Sequence, residues 1–153
     1  MVKSEYVKLK VGWIGKSKDP AIQALTVEYL NRLRHYAEAE ALTFPNEKAM
    51  LKYREKAGTR PAYSIVLLDS RGKQFSSEEF AAFLQDHENR SPQQLLFCVG
   101  NADGFSEEAR NSSHFVLSLG KMTLPHDLAR VVLLEQLYRA FTILKRHPYH
   151  LGH

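Results

Sequence analysis

Hydrophobic and polar positions fall into short blocks along the chain, and the period within each block predicts its secondary structure. Residues 7–14 (VKLKVGWI) alternate with a period near two, which indicates a strand. Residues 62–69 (AYSIVLLD) and 95–99 (LLFCV) are almost continuously apolar, as in strands that a parallel sheet buries on both faces. Residues 41–44 and 115–119 predict two further short strands.

Signals for helix starts stand between these strands. Asp19 precedes Pro20, so an N-cap is followed by a proline at the first helical position, where its missing N–H removes no helical hydrogen bond. Ser76 and Glu79 have the spacing of a capping box. Ser106 precedes two acidic residues that suit a first helical turn. Strands and helices therefore alternate, which predicts an α/β fold with a mostly parallel sheet flanked by helices.

Residues 46–57 predict a further helix that is polar along its length and ends at Gly58. This is the most basic part of the chain. Five cations lie in it or just after it: Lys48, Lys52, Arg54, Lys56 and Arg60. A solvated face and an RNA-facing surface both account for this charge, and the sequence leaves the two interpretations open.

The last helix is predicted to run from Pro125 to about Leu144, with Pro125 in its first turn and the Thr123 hydroxyl as its cap. Residues 131–134 (VVLL) are apolar without a break. A helix that is apolar on every side is buried on more than one face. In so short a chain, this pattern indicates a subunit interface as well as a core.

Polar residues recur in this helix at the spacing of a helical turn. His126 and Arg130 are four residues apart, and so are Glu135 and Arg139, so that each pair shares a face. Glu135 and Arg139 are either a structural ion pair at an interface or part of a reaction site. His126 is either a histidine at a subunit contact or a group that moves a proton near neutral pH.

The size and composition of the chain limit the class of protein. A chain of 153 residues, 44% of them hydrophobic, predicts one domain over residues 1–153. No apolar run approaches the length of a membrane helix, and the N-terminus lacks the apolar core of a signal peptide. The single cysteine, Cys98, excludes an internal disulfide and gives no metal-ligand cluster. We expect a soluble cytoplasmic protein with no membrane partner and no metal.

The formal charge of +4 and the pI of about 9.2 are compatible with binding RNA. A generic basic surface explains these values equally well. Nucleotide-binding motifs are absent, because residues 100–104 (GNADG) lack the G-x-G-x-x-G spacing and no Walker lysine motif occurs.

Three loops follow predicted strands, and ligands of open parallel sheets bind at the carboxyl ends of strands. The loops come after Leu68, at Gly100 and at residues 119–124. Glycines at 100, 104 and 120 allow the backbone to come close to a ligand, or else they only form tight turns. The pattern alone does not determine whether the three loops touch.

Residues 117–150 read LSLGKMTLPHDLARVVLLEQLYRAFTILKRHPYH. This run resembles the C-terminal signature of the RlmH family, which has the form S-L-S-x-M-T-L-P-H-x-x-x-R, then L-x-E-Q-L-Y-R-A, then H-P-Y-H. These are methyltransferases of the SPOUT class that methylate N3 of a pseudouridine in 23S rRNA. The resemblance covers essentially the whole chain, and it implies a SPOUT fold in which the C-terminal segment threads a loop to form a trefoil knot.

The resemblance also implies a site. S-adenosyl-L-methionine is the implied cofactor, and its implied contacts are Leu68, Gly100, Leu119, Gly120, Lys121, Met122, Thr123 and Leu124. The implied catalytic residues are His126, Arg130, Glu135, Arg139, Tyr149 and His150. His126, Glu135 and His150 are the candidate bases for the proton on N3, while Arg130 and Arg139 suit an anion or an RNA phosphate. Tyr149 suits stacking on an unstacked base.

In the family the C-terminal tail completes the site of a partner subunit, so a homodimer bound to 23S rRNA within the ribosome is expected. For the tail, residues 147–150, a disordered chain end is the alternative.

Three positions depart from the family pattern. Asn101 stands where the family has a second glycine, Gly120 replaces a serine, and the tail ends Leu151-Gly152-His153 in place of basic residues. The alternative function is therefore a non-catalytic ribosome-binding or assembly factor on the same fold. A third hypothesis is a small-molecule enzyme built on a parallel sheet, and this hypothesis rests on fold analogy alone.

Overall fold

The structure of the protein, a computed structural model, describes residues 7–54, 63–91, 93–101 and 103–150. Ten elements alternate along these residues: β1 (Val7–Ile14), α1 (Pro20–Leu33), β2 (Ala37–Phe44), α2 (Glu47–Tyr53), β3 (Tyr63–Gln74), α3 (Ser77–Arg90), β4 (Gln94–Val99), α4 (Glu107–Ser112), β5 (Phe115–Ser118) and α5 (His126–Leu144). The predicted α/β fold is confirmed.

Five strands form one sheet in the order β2-β1-β4-β3-β5, and every pairing in it is parallel. The chain leaves β1 towards β2 on one side and then places β4, β3 and β5 on the other side. Strand order therefore reverses next to β1 and β4. In parallel sheets such a reversal opens a crevice at the carboxyl ends of the strands.

Side chains alternate between two apolar layers, one on each face of the sheet. In β4, Leu95, Phe97 and Val99 belong to the layer that also contains buried residues of α1, α3 and α5. Leu96 and Cys98 point into the other layer, which contains Met50 of α2 and Ala109 of α4. This alternation explains why the strands are continuously apolar, since neither face of the sheet meets water. Cys98 is buried, as predicted.

Two predicted helix starts have the hydrogen bonds that their sequences indicate. The Asp19 carboxylate accepts a hydrogen bond from the backbone N–H of Ala21 at 2.9 Å. Ser76 and Glu79 form the complete capping box, with Ser76 Oγ accepting from the Glu79 N–H at 3.0 Å and Glu79 Oε1 accepting from the Ser76 N–H at 2.7 Å. Local sequence is sufficient here because all partners lie within three residues.

Strand β2 is longer than the predicted residues 41–44. It begins at Ala37, and Ala37 to Glu40 pair in register with Val7 to Lys10 of β1. Alanine and glutamate have low strand propensity, so the segment AEAE gave no strand signal. Its alternation of buried alanine and exposed glutamate fits an edge strand once β1 lies beside it.

Helix α2 ends at Tyr53, four residues before the predicted end at residue 57. The predicted stop at Gly58, and the cations Lys56 and Arg60, lie outside the described residues. Asn46 caps the helix as the prediction requires, because its side chain accepts a hydrogen bond from the Ala49 N–H at 2.9 Å.

Strand β3 continues to Gln74, through residues 70–73, although the sequence predicts that the strand ends at Asp69 and that a loop follows. Its pairing with β5 shifts register between Leu68 and Lys73, so the intervening residues bulge out of the ladder. Gly72 lies so close to β5 that an added Cβ would be 2.5 Å from the Val116 carbonyl oxygen. Glycine here allows two backbones to pass close to each other. In the sequence alone, the same glycine indicates a loop.

Helix α5 begins one residue later than predicted. Pro125 occupies the N-cap position in an extended conformation, and no side chain caps the helix, so the predicted Thr123 cap is wrong. Strand β5 ends at Ser118, one residue before the predicted Leu119. No helix among the described residues is long and apolar enough to cross a membrane.

Candidate active site

A cavity of about 330 Å³ opens at the carboxyl edge of the sheet, where β3, β4 and β5 end. The three loops predicted to follow these strands meet around it. Seven of the eight residues predicted to contact a cofactor line this cavity: Leu68, Gly100, Leu119, Gly120, Met122, Thr123 and Leu124. The eighth, Lys121, is exposed and does not belong to the lining.

The segment after β5 is shaped by a buried serine. Ser118 Oγ accepts a hydrogen bond from the Gly120 N–H at 3.1 Å and donates one to the Gly120 carbonyl oxygen at 2.9 Å. Gly120 has a φ of 148°, a backbone conformation that side-chain-bearing residues rarely adopt. The chain therefore turns sharply at the cavity wall and brings residues 122–124 into the lining.

The sequence analysis missed a group of polar residues in the same lining. Asp69, Arg71 and Asp103 line the cavity together with Ser118. Both carboxylate oxygens of Asp69 accept hydrogen bonds from the Arg71 guanidinium. Oδ1 accepts from Nε and Oδ2 accepts from Nη2, both at 2.9 Å. This hydrogen bonding holds the pKa of Asp69 below its usual value. In the sequence, the position of Asp69 directly after an apolar strand is the signal that could have identified this group.

His126 lines the cavity at the first residue of α5. Its Nε2 lies 3.2 Å from Asp127 Oδ1. The other carboxylate oxygen of Asp127 accepts a hydrogen bond from Ser17 Oγ at 2.9 Å. The Ser17–Asp127 hydrogen bond joins the start of α5 to the loop after β1, whereas Asp127 Oδ1 accepts no hydrogen bond from the imidazole.

Arg130 lies outside the cavity lining, although it follows His126 by one helical turn. Its side chain is only 3% exposed. Nη2 donates to the carbonyl oxygens of Ile14 at 3.2 Å and Gly15 at 2.9 Å, and the guanidinium lies 5.2 Å from the Trp13 ring centre. Burial lowers the pKa of Arg130, and nearby Asp127 opposes that effect. The residue thus joins α5 to the end of β1.

The other four predicted catalytic residues form a second cluster, towards the C-terminal end of α5. Arg139 Nε donates to Glu135 Oε1 at 3.0 Å, and the Tyr149 hydroxyl donates to the same oxygen at 3.2 Å. Arg139 also lies 5.1 Å from the Tyr149 ring centre and 3.1 Å, through Nη1, from His150 Nδ1. The tail is therefore packed on its own helix, with Tyr149 and Tyr138 in edge-to-face contact at 4.7 Å.

The contacts of this cluster determine which of its atoms carry protons. Arginine can only donate, so His150 Nδ1 accepts, and His150 Nε2 then donates to Glu78 Oε1 at 2.7 Å. Burial, together with the Glu135 charge, raises the pKa of Tyr149 to about 12. Tyr149 is thus a neutral donor, and the acceptor atoms of Glu135 and His150 are already occupied.

The two groups of predicted catalytic residues are separated within one chain. His126 and Arg139 lie 13 positions apart in the same helix, a rise of roughly 20 Å. Among the described residues, no three or more histidine, cysteine or acidic side chains are placed to hold a metal ion.

Comparison with known proteins identifies close relatives over nearly the whole chain. A family model described as predicted SPOUT methyltransferase matches residues 7–150. A protein of Koribacter versatilis (strain Ellin345) named ribosomal RNA large subunit methyltransferase H is 55% identical over 147 residues, which cover 96% of this chain and 100% of that protein. A protein of the same name from Geobacter sp. (strain M21) is 39% identical, covering 94% and 99%.

Solved structures share the fold at low sequence identity. The SpoU methyltransferase AviRb of Streptomyces viridochromogenes, in complex with the cofactor AdoMet, superimposes with a TM-score of 0.53 at 16% identity, covering 91% of this chain and 59% of that one. A probable methylase family protein of Haemophilus influenzae Rd KW20 gives a TM-score of 0.58 at 12% identity, covering 92% and 69%.

Proposed function

This chain belongs to the SPOUT methyltransferase family, and on that premise we propose that it transfers a methyl group from S-adenosyl-L-methionine to N3 of a pseudouridine in 23S rRNA of the ribosome. The observation that carries the proposal is the convergence of three separate loops on one cavity, through seven residues that the family resemblance marks for cofactor contact.

The cavity has the chemistry that this cofactor requires. Leucines at 68, 119 and 124, with Val99, supply apolar walls for the faces of an adenine ring. Asp69, Arg71 and Asp103 supply charged groups for an amino-acid end. The bound cofactor supplies an electrophilic methyl group attached to a sulfonium. The residues of the cavity hold and orient it, and alignment of the two reactants alone accounts for a large part of such rate enhancements.

His126 is the residue proposed to face the reacting nucleotide, from the protomer whose cavity holds the cofactor. It lines the cavity, and its Nε2 lies 3.2 Å from Asp127 Oδ1. An imidazole there can accept the N3 proton of the base, which must leave for the nitrogen to attack. A well-placed base contributes about 100- to 10,000-fold. Arg130 does not reach the cavity. Its hydrogen bond to Gly15 fixes α5 against the end of β1.

The tail cluster is proposed to act in the site of a second copy. Arg139 lies too far along α5 from His126 to reach the cavity of its own chain, and Tyr149 and His150 are packed against Arg139. In a homodimer the same residues can complete the partner's site, with Arg139 facing negative charge and Tyr149 stacking on the base. His150 accepts a proton only after Nδ1 is released from Arg139, so RNA binding would have to rearrange this contact.

The proposal carries three further parts: a single domain over residues 1–153, a trefoil knot formed by the segment after β5, and a place in the cytoplasm beside the ribosomal substrate. Residues 118–120 and 122–124 line one cavity with the bulge of β3 and the loop after β4, which supports the knot. The alternative of a non-catalytic assembly factor is not favoured, because a relative that is 55% identical over 96% of this chain is named a methyltransferase.

Two measurements test the proposal. Mass mapping of 23S rRNA from cells with and without this protein should show the loss of one methyl group on a pseudouridine when the protein is absent. Calorimetry with S-adenosyl-L-methionine should show binding to the purified protein. Absence of binding at millimolar cofactor would contradict the proposal and favour the assembly factor, and a methyl group on another nucleotide would correct the substrate.

A further inference from the structure

Arg71, which lines the cavity, is held by two hydrogen bonds from its guanidinium to one carboxylate. Its side chain is 55% exposed, whereas that of Asp69 is only 2% exposed. Asp69 engages the Nε and Nη2 edge of the guanidinium with both oxygens, and Nη2 also donates to the Phe105 carbonyl oxygen at 3.3 Å. A planar fork bound on one edge has its remaining donors fixed in direction.

The backbone around this pair is restrained as well. The Arg71 N–H donates to Asp69 Oδ1 at 2.9 Å, which closes a tight local turn in the bulge of β3. The adjoining Gly72 is pressed against the backbone of Val116 and Leu117. The guanidinium is therefore positioned before any ligand arrives, so a ligand that uses it loses little conformational entropy of the side chain.

One edge of Arg71 remains available towards the cavity. Among the described residues, no hydrogen bond uses its Nη1, which carries two donor protons. Its two N–H groups can each donate a charge-assisted hydrogen bond to an oxygen of a carboxylate or phosphate. Asp69 is buried, and a buried carboxylate that only neutralised an exposed arginine would contribute little to stability. Its burial therefore also supports a role for the pair in holding Arg71 for a ligand.

The charges around Arg71 distinguish between these two anions. The lining holds two carboxylates, Asp69 and Asp103, against one guanidinium, so its formal charge from these groups is negative. An RNA phosphate carries only negative charge and would be repelled by the excess carboxylate. An α-amino acid carries an ammonium beside its carboxylate, and Asp103 offers that ammonium an acceptor.

We propose that Arg71, presented by Asp69, binds the α-carboxylate of S-adenosyl-L-methionine, and that Asp103 binds its α-ammonium. This inference rests on the proposed function, and it assigns the amino-acid end of the cofactor to the rim formed by β3 and the loop after β4. The apolar lining from Leu68 to Leu124 is left for the nucleoside. The cofactor's sulfonium lies between these two parts of the molecule, so the assignment fixes its direction in the cavity.

Calorimetry on the full-length protein tests the inference with three ligands. S-adenosyl-L-methionine and S-adenosylhomocysteine both carry the amino-acid group, whereas 5′-methylthioadenosine lacks it. Arg71→Gln should weaken the first two by about 10- to 100-fold, the range expected for hydrogen bonds to a charged group, and should leave the affinity for 5′-methylthioadenosine unchanged. Arg71→Lys, which keeps the charge but loses the fork, should give an intermediate loss.

Arg90→Gln is the matched control, since Arg90 also pairs through Nε with a carboxylate, that of Asp86 at 2.8 Å, but lies outside the cavity. Unchanged affinity of Arg71→Gln for all three ligands would overturn the inference. So would an equal loss for all three, which would mean that Arg71 only maintains the shape of the cavity. The double variant Asp69→Asn with Arg71→Gln removes the buried charge and repeats the test if the single variant unfolds. A wild-type protein that binds none of the ligands would instead contradict the proposed function.

Discussion

At the scale of single residues, the two ends of α5 hold ionisable side chains in different ways. His126 has one contact with a carboxylate and faces a cavity, so its second ring nitrogen is available for a ligand. Glu135, by contrast, accepts hydrogen bonds from Arg139, Tyr149 and Gln136 at once. Both of its carboxylate oxygens are therefore occupied by donors from the helix and the tail. The cluster around it is built to fix the direction of Arg139 and the tail.

Removing single groups of the tail should slow methylation. Tyr149→Phe keeps the ring against Tyr138 and Arg139 but removes the hydrogen bond to Glu135, and His150→Ala removes the contact with Arg139. Each should lower the single-turnover rate about 10- to 100-fold while cofactor affinity stays constant. Tyr63→Phe, on a half-buried tyrosine of β3, is the control. Unchanged rates in both tail variants would show that the tail takes no part in the reaction.

The Asp69–Arg71 pair predicts a dependence of stability on pH. Asp69 has a pKa lowered by its hydrogen bonds with Arg71, whereas an unfolded aspartate titrates near 3.9. The stabilisation is therefore complete above about pH 4 to 5 and is lost as the pH falls below about 4 towards the folded-state pKa. Denaturant titrations between about pH 2 and 7 should show a steeper acid loss for the wild type than for Asp69→Asn. Parallel curves would contradict this assignment.

At the scale of secondary structure, the elements differ in how much of their shape is local. Helices α1 and α3 begin where their caps predict, because capping partners lie within three residues. The first half of β2 and the second half of β3 were missed, because their strand character comes from pairing with β1 and β5. The prediction that Thr123 caps α5 was wrong for a related reason. The loop before Pro125 forms part of the cavity wall, so the start of the helix does not determine its position.

Gly72 is the position at which β3 depends most on contact with a distant segment. Gly72→Ala places a methyl group about where the Val116 carbonyl and the Leu117 backbone already lie. The two strands must separate, which should lower the free energy of unfolding by about 1–3 kcal/mol. Chemical denaturation measures the change.

Ser70→Ala, at an exposed residue of the same bulge, should change the stability by less than about 0.5 kcal/mol. Equal effects of the two substitutions would show that the crossing at Gly72 is not close in solution.

At the scale of the whole molecule, two adjoining helices carry exposed apolar residues. Leu25 of α1 is 42% exposed, and Leu128 of α5 is 43% exposed. α1 and α5 pack against each other. The buried residues Leu133, Leu134 and Leu137 account for the side of α5 that faces the sheet. Exposed leucines on two adjoining helices support the proposed homodimer, because such residues are usually covered in an interface.

A charge on this surface should separate the subunits. Leu25→Glu is expected to convert a dimer to a monomer in analytical ultracentrifugation and to abolish methylation, while cofactor binding by each cavity persists. Lys48→Glu introduces the same side chain on α2, on the opposite face of the sheet, and should leave the mass unchanged. A wild-type protein that sediments as a monomer at the assay concentration would refute the shared site.

Hybrid dimers test the shared site directly. A His150→Ala protein has an intact cavity, and an Arg71→Gln protein has an intact tail. Mixed and refolded together, they form hybrids in which one site receives both intact parts, so about a quarter of the wild-type activity should return. If each chain completed its own site, mixing would restore none of it.

The sequence by itself determined the elements whose signals are local, the continuously apolar strands of a two-sided sheet, and the family to which the C-terminal run belongs. These depend on the identity of neighbouring residues, and neighbours are fixed by the chain. Only the tertiary structure decided that Asp69 and Arg71 share a cavity with residues 118–124, that Arg130 turns towards Gly15, and that the tail lies against Arg139. Each of these depends on which distant segments the parallel sheet and α5 bring within a few ångströms, and no local pattern contains that information.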